Sequence, residues 1–90
     1  MTIPETTTIA LSLGYRLQWE EAQQSYVLLY PEAMVKLNPS GAEILKRCDG
    51  SRTAAEIVAD LQQQFPDVDL TADVHEFLEV AHDKGWIRSQ

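Results

Sequence analysis

Ninety residues carrying 14 acidic and 7 basic side chains give a formal charge of -7, in a chain long enough for one small domain that buries about 60% of the surface it would expose unfolded. That charge disfavours phosphate backbones and anionic lipid heads, and it favours basic peptides or basic protein faces as partners. A single cysteine, Cys48, excludes an intrachain disulfide and fits a cytoplasmic address.

Residues 1–12, with Thr6-Thr7-Thr8 and scattered apolar positions, lack the basic start and continuous apolar run of a secretory signal and read as a flexible N-terminal arm. No segment approaches the ~20 apolar residues of a membrane span. A single domain is expected over 13–90. Over 15–20 the residues alternate, with Tyr15, Leu17 and Trp19 on one face and Arg16, Gln18 and Glu20 on the other, which is the period of a half-buried strand. After a polar turn without glycine at 21–24, residues 26–30 are apolar on both faces and read as the central strand. Pro31 presets the dihedral of a type I turn over 30–33, and residues 33–37 form a third strand. The expected unit is a three-stranded antiparallel meander.

Asn38 with Pro39 supplies a helix cap and first position, while Ser40 and Glu43 have capping-box spacing one step further in. The buried stripe of this helix is Gly41, Ile44, Leu45 and Cys48, and Asp49-Gly50 ends it. A second capping box at 53–56 opens a helix with Ile57, Val58, Leu61 and Phe65 on one face, stopped by Pro66. A third helix from about Thr71 buries Val74, Phe77, Leu78 and Ala81 and stops at Gly85, before a short extended segment at 86–88. The fold class is therefore α+β: a meander followed by a three-helix bundle, resembling a winged helix-turn-helix. Many such domains read DNA, but Asp73, Glu76, Glu79 and Asp83 stand against Lys84 alone on the third helix, which places repulsion where a groove reader supplies cations. A DNA-binding regulator is the alternative reading, with nucleic acid not expected as partner.

Candidate chemistry is sparse. His75-Glu76-Phe77-Leu78-Glu79 echoes the helical zinc motif of two histidines one turn apart, but its second position is Glu79. His82 lies about 10 Å further along the axis at 1.5 Å per residue, too far to share an ion with His75. Cys48 sits on an apolar stripe, where thiols behave as small hydrophobes. Ser51 lacks the neighbours of a phosphopantetheine attachment serine, and Glu20-Glu21 are ordinary solvated acids. No catalytic residue, metal site or bound cofactor is expected. The strand at 33–37 is instead an edge, whose unpaired backbone groups could take up an extended peptide if it lies beside the third helix.

The set Leu17-Gln18-Trp19-Glu20, Tyr30-Pro31-Glu32, 34–38, Ile44-Leu45, Asp49-Gly50, Phe65-Pro66 and Trp86-Ile87 resembles the PqqD family of pyrroloquinoline quinone (PQQ) biosynthesis. The resemblance spans about 14–87. It implies a winged helix-turn-helix-like peptide-recognition element, a chaperone that binds the ribosomally made precursor PqqA and presents it to PqqE. That partner is a radical S-adenosylmethionine enzyme that joins a glutamate to a tyrosine, and it holds the iron-sulfur clusters and S-adenosylmethionine. Carried onto this chain, the family's cleft places the peptide beside Met34, Val35, Lys36 and Leu37, with Val74, Phe77, Leu78 and Ala81 as floor or wall and His75 and Glu79 at the rim. Related sequences commonly have glycine where this chain has Ala33, so either Ala33 is strained in a left-handed turn or the turn has changed. A loosened hairpin could exchange between chains, which leaves a homodimer open.

Overall fold

Two three-stranded antiparallel sheets and three helices share one core in the computed structural model, which describes residues 3–4 and 6–89. In chain order they are β1 (Thr8–Leu11), β2 (Arg16–Glu20), β3 (Ser25–Tyr30), β4 (Ala33–Lys36), α1 (Pro39–Lys46), β5 (Asp49–Thr53), α2 (Ala54–Gln64), α3 (Thr71–Asp83) and β6 (Ile87–Ser89). The sheet orders are β2-β3-β4 and β5-β1-β6.

Alternation builds the first sheet. Leu17, Leu28 and Val35 form one cross-strand row against the core, while Gln18, Val27 and Lys36 form the adjacent row on the opposite face, where Val27 is nonetheless fully buried. Tyr15 stacks on Tyr30 at 4.9 Å and Trp19 meets Tyr26 edge-on at 5.1 Å, so aromatic pairs close both ends of the inner face. In the β2-β3 turn, Gln24 takes the left-handed conformation (φ 49°) that a glycine would otherwise supply. Its side-chain amide donates to the Glu21 carbonyl at 2.8 Å, which offsets part of the roughly 1 kcal/mol cost. The β3-β4 turn needs no such residue. Tyr30 pairs with Ala33 across Pro31-Glu32, and Ala33 belongs to β4 with no positive φ, so the turn has adapted and the alanine carries no left-handed strain.

The second sheet corrects two expectations. Thr8–Leu11, assigned to the flexible arm, forms the central strand between β5 and β6, with Ile9 fully buried. Ile3 of the same arm joins the core, and its N–H donates to Glu79 Oε1 at 3.1 Å; Met1, Thr2 and Glu5 lie outside the described residues. The first helix also stops at Lys46, short of Asp49-Gly50, which sit in β5. Cys48 falls past the helix end, where its carbonyl accepts the Leu11 N–H at 3.1 Å. Pairing with β1 draws this polar run out of the helix, a tertiary effect that outweighs local propensity.

Helix starts follow local chemistry. The Asn38 side chain caps α1, accepting the Gly41 N–H at 2.7 Å, and the capping box of Thr53 and Glu56 opens α2 in both directions, at 3.3 and 2.8 Å. Arg47 fastens α1 to α2: buried, it donates to Asp60 Oδ2 at 2.5 Å and to the Glu43 carbonyl and carboxylate at 2.8 and 3.1 Å. Burial disfavours its charge, but these two carboxylates outweigh that effect and raise its pKa.

Candidate functional site: an open strand edge and an apolar groove

β4 ends its sheet, and among the described residues no strand pairs with its far side. The register decides which backbone groups are free. Because the Leu37 N–H donates to the Tyr26 carbonyl at 3.0 Å, Tyr26–Leu37 is a hydrogen-bonded pair, and so in alternation are Leu28–Val35 and Tyr30–Ala33. Met34 and Lys36 fall between them and turn their N–H and C=O groups toward the open edge. Their side chains lie on the outer face, Met34 55% exposed, while Val35 and Leu37 pack inward.

The chain leaves β4 through Leu37 and enters the mouth of a groove of about 790 Å³, because Asn38, Pro39 and Ser40 line it. Ile44 of α1, Leu61 of α2 and Val74 and Phe77 of α3 line it from the core side, and Phe65, Val68 and Val80 add apolar surface that is about half exposed. Such a cluster on a small domain is the type of surface that marks an interaction site. Gly41 makes the close approach of α1 and α3 possible. A Cβ there would stand 2.9 Å from the Phe77 ring and 3.0 Å from Asn38 Oδ1, so a side chain would displace the ring or the cap.

One side chain shapes the connection from α2 to α3. Gln62 Nε2 donates to the carbonyls of Phe65 (2.9 Å) and Val68, and its Oε1 accepts the Leu70 N–H at 3.1 Å. Asp69 Oδ1 then accepts the Thr71 N–H at 3.0 Å where α3 begins. Among the described residues, three acids, Glu43, Asp73 and Glu76, line the groove, and no lysine or arginine does. Glu43 is held below the ordinary carboxylate value, chiefly by the Lys46 hydrogen bond and further by Arg47.

The residues expected to form the cleft divide by burial. Met34 and Lys36 are exposed at the edge, Val35 and Phe77 are half-buried, and Val74 is buried yet touches the groove. Leu37, Leu78 and Ala81 lie within the core, behind the surface. Among the α3 residues, Val74 and Phe77 are thus brought to the groove and Leu78 and Ala81 are not. Val68, Val80 and Gln62 were not singled out by sequence reasoning. Val80 had a usable signal, since it is a large apolar residue off the buried stripe of its helix; Gln62 had none.

Cys48 is buried, and burial, reinforced by neighbouring Asp49, pushes its thiol up to about 12. Among the described residues no group of three or more histidine, cysteine, aspartate or glutamate side chains comes together in a way that could hold a metal, and no helix is long and apolar enough to cross a membrane.

An α+β domain that leaves a strand edge and an adjoining apolar groove uncovered is built as a binding module. The chain belongs to the PqqD family: the model of Coenzyme PQQ synthesis protein D matches residues 25–87. It is 56% identical over 78 residues to the PqqA binding protein of Azotobacter vinelandii, covering 86% of this chain and 85% of that one. With the PqqA binding protein of Pseudomonas paraeruginosa it is 50% identical over the whole of both chains. The fold is similar to the solution NMR structure of the PqqD truncation of Methylobacterium extorquens PqqCD, a stand-alone recognition element for ribosomally synthesized, modified peptides. There the TM-score is 0.78 at 26% identity, covering 97% of this chain and 95% of that one. It is also similar to the crystal structure of PqqD from Xanthomonas campestris, with a TM-score of 0.53 at 33% identity over 92% and 94% of the two chains. As a member of this family the chain is a component of PQQ synthesis and not an enzyme.

Proposed function

We propose that this domain binds a PqqA-like precursor peptide by adding it as a strand to β4 and presents it to a PqqE-like radical S-adenosylmethionine enzyme in the cytoplasm. The observation that carries the reading is the pair of outward-facing backbone groups at Met34 and Lys36 on the open edge of β4, a strand whose chain continues through Leu37 into the groove-lining residues 38–40. A guest strand bonded there gains main-chain hydrogen bonds, and its alternate side chains are offered Val35, Phe77 and Val74 as apolar partners. Leu37, Leu78 and Ala81 support that surface from within. The names of the relatives favour PqqA as the guest, and in a winged helix-turn-helix-like reading of the fold the groove-lining side chains of α3, Val74 and Phe77, help select it. The acidic side chains of α3 weigh against the alternative of a DNA-binding regulator. Ala33 sits in regular β4 geometry, so the hairpin stores no left-handed turn strain that would favour exchange between chains.

The test is a chemical-shift titration of the isotope-labelled domain with a PqqA peptide, against a scrambled peptide. Saturable shifts at residues 33–37, Val74 and Phe77 are expected. Shifts confined to surfaces away from β4, with the domain folded, would refute strand addition.

A further inference from the structure

We infer that Asp73 and Glu76 make the groove selective for a guest with a lysine or arginine beside its apolar anchor. The inference rests on the peptide-binding reading above and adds the chemistry of the guest. The groove offers Phe65, Val68, Phe77 and Val80 to an apolar side chain, and the charged groups among its described lining residues are all carboxylates. Those carboxylates are not equivalent. Glu43 already binds Lys46 at 2.9 Å and Arg47 at 3.1 Å, so its charge is largely spent within the domain. Asp73 and Glu76 sit three residues apart on α3, one helical turn, and both are exposed. Among the described residues, neither carboxylate has a hydrogen-bond or ion-pair partner. Lys36, the cation of the neighbouring strand edge, lines no part of the groove.

A guest running from the β4 edge into the groove thus passes from a cationic position to an anionic one. A cation next to its anchor would gain both charges; an acid there would meet repulsion from both. Such complementarity mainly sets which guest is accepted and how fast it docks.

The experiment measures the affinity of a labelled PqqA peptide for the wild-type domain, the Glu76→Lys variant and the Asp73→Asn/Glu76→Gln variant, from about 20 to 300 mM salt. Thermal melts confirm that each is folded, and Glu76→Lys retains the first-turn carboxylate of Asp73. Weakening of about 3- to 10-fold at low salt is expected for the neutral pair, more for the reversal, with both differences shrinking as salt rises. Equal affinities, or a loss that ignores salt, would overturn the inference. If those variants bind like the wild type while a β4 edge variant does not, strand addition stands and only the charge selectivity falls. If the wild-type domain itself does not bind PqqA, both fall.

Discussion

Met34→Pro is the sharpest test of where a guest would bind. The Met34 N–H faces the open edge and takes no part in the β3-β4 ladder, because Leu29–Met34 is a non-hydrogen-bonded pair. Proline is tolerated at such edge positions, so the fold should survive with a small loss of stability. What disappears is one donor to the guest. A net hydrogen bond of about 0.5–1.5 kcal/mol corresponds to a roughly 2- to 13-fold loss of affinity, and the ring occupies space the guest carbonyl would need, so about 10-fold or more is expected. Met34→Leu keeps the N–H and should bind within about 2-fold of wild type, since only an exposed side chain changes. Val35→Pro is the contrasting control: its N–H belongs to the Leu28–Val35 pair, and losing it should cost about 1–3 kcal/mol of stability. Fluorescence anisotropy with a labelled PqqA peptide gives the affinities, and circular dichroism confirms folding. A folded Met34→Pro domain that binds as tightly as wild type would refute strand addition at β4.

Breaking the α2 capping box by Thr53→Ala should cost about 1 kcal/mol, or about 4–8 °C in Tm, because the hydroxyl that accepts the Glu56 N–H is lost while the backbone N–H of residue 53 can still donate to the Glu56 carboxylate; an unchanged Tm would count against it. Glu43 has a depressed pKa in the folded state, so its contribution is complete above its ordinary value of 4.5 and is lost as pH falls through the lowered value. Melts below about pH 4.5 should therefore show a decline that Glu43→Gln makes shallower. The buried Cys48 thiol, pushed up to about 12, should resist a thiol reagent at pH 8 in the folded domain and react only on unfolding. Fast modification of the native protein would show that the site opens.

What was legible in the sequence was whatever is written in local chemistry. The strict alternation of β2, the Asn38 cap and the Thr53 capping box each predict their element because partner and period lie within a few residues. The second sheet was not legible for the converse reason. β5 is Asp-Gly-Ser-Arg-Thr, a run with little strand propensity, and β1 lies in a stretch whose apolar residues look scattered until β5 and β6 close on both sides of it. Those pairings span most of the chain, and no window of sequence contains them. The groove is intermediate. Phe77 was visible as an apolar residue of α3, but its position depends on Gly41 leaving room on a different helix.

The division of labour that follows bears on how such a site can change. β1, held on both sides, the Arg47 links between α1 and α2, and the core around Leu28, Leu45 and Leu78 hold the fold. Of these, Leu28 meets β4 on its paired side, through Val35, and not at the open edge. Met34, Lys36, Phe65, Val68 and Val80 are exposed, and substitutions at positions of that kind usually alter stability by less than about 0.5 kcal/mol. Guest preference can therefore be retuned at the edge and groove with little penalty in folding. The coupling lies in Val35, Leu37 and Phe77, which pack on the core while shaping the surface. A change at Leu37, only 6% exposed, alters the core directly, so a binding loss there reports damage to the domain as readily as loss of a contact. The proposed mode of capture is better probed through the backbone of Met34 and the side chains of α3 that face the groove, where recognition can be perturbed while the core is left in place.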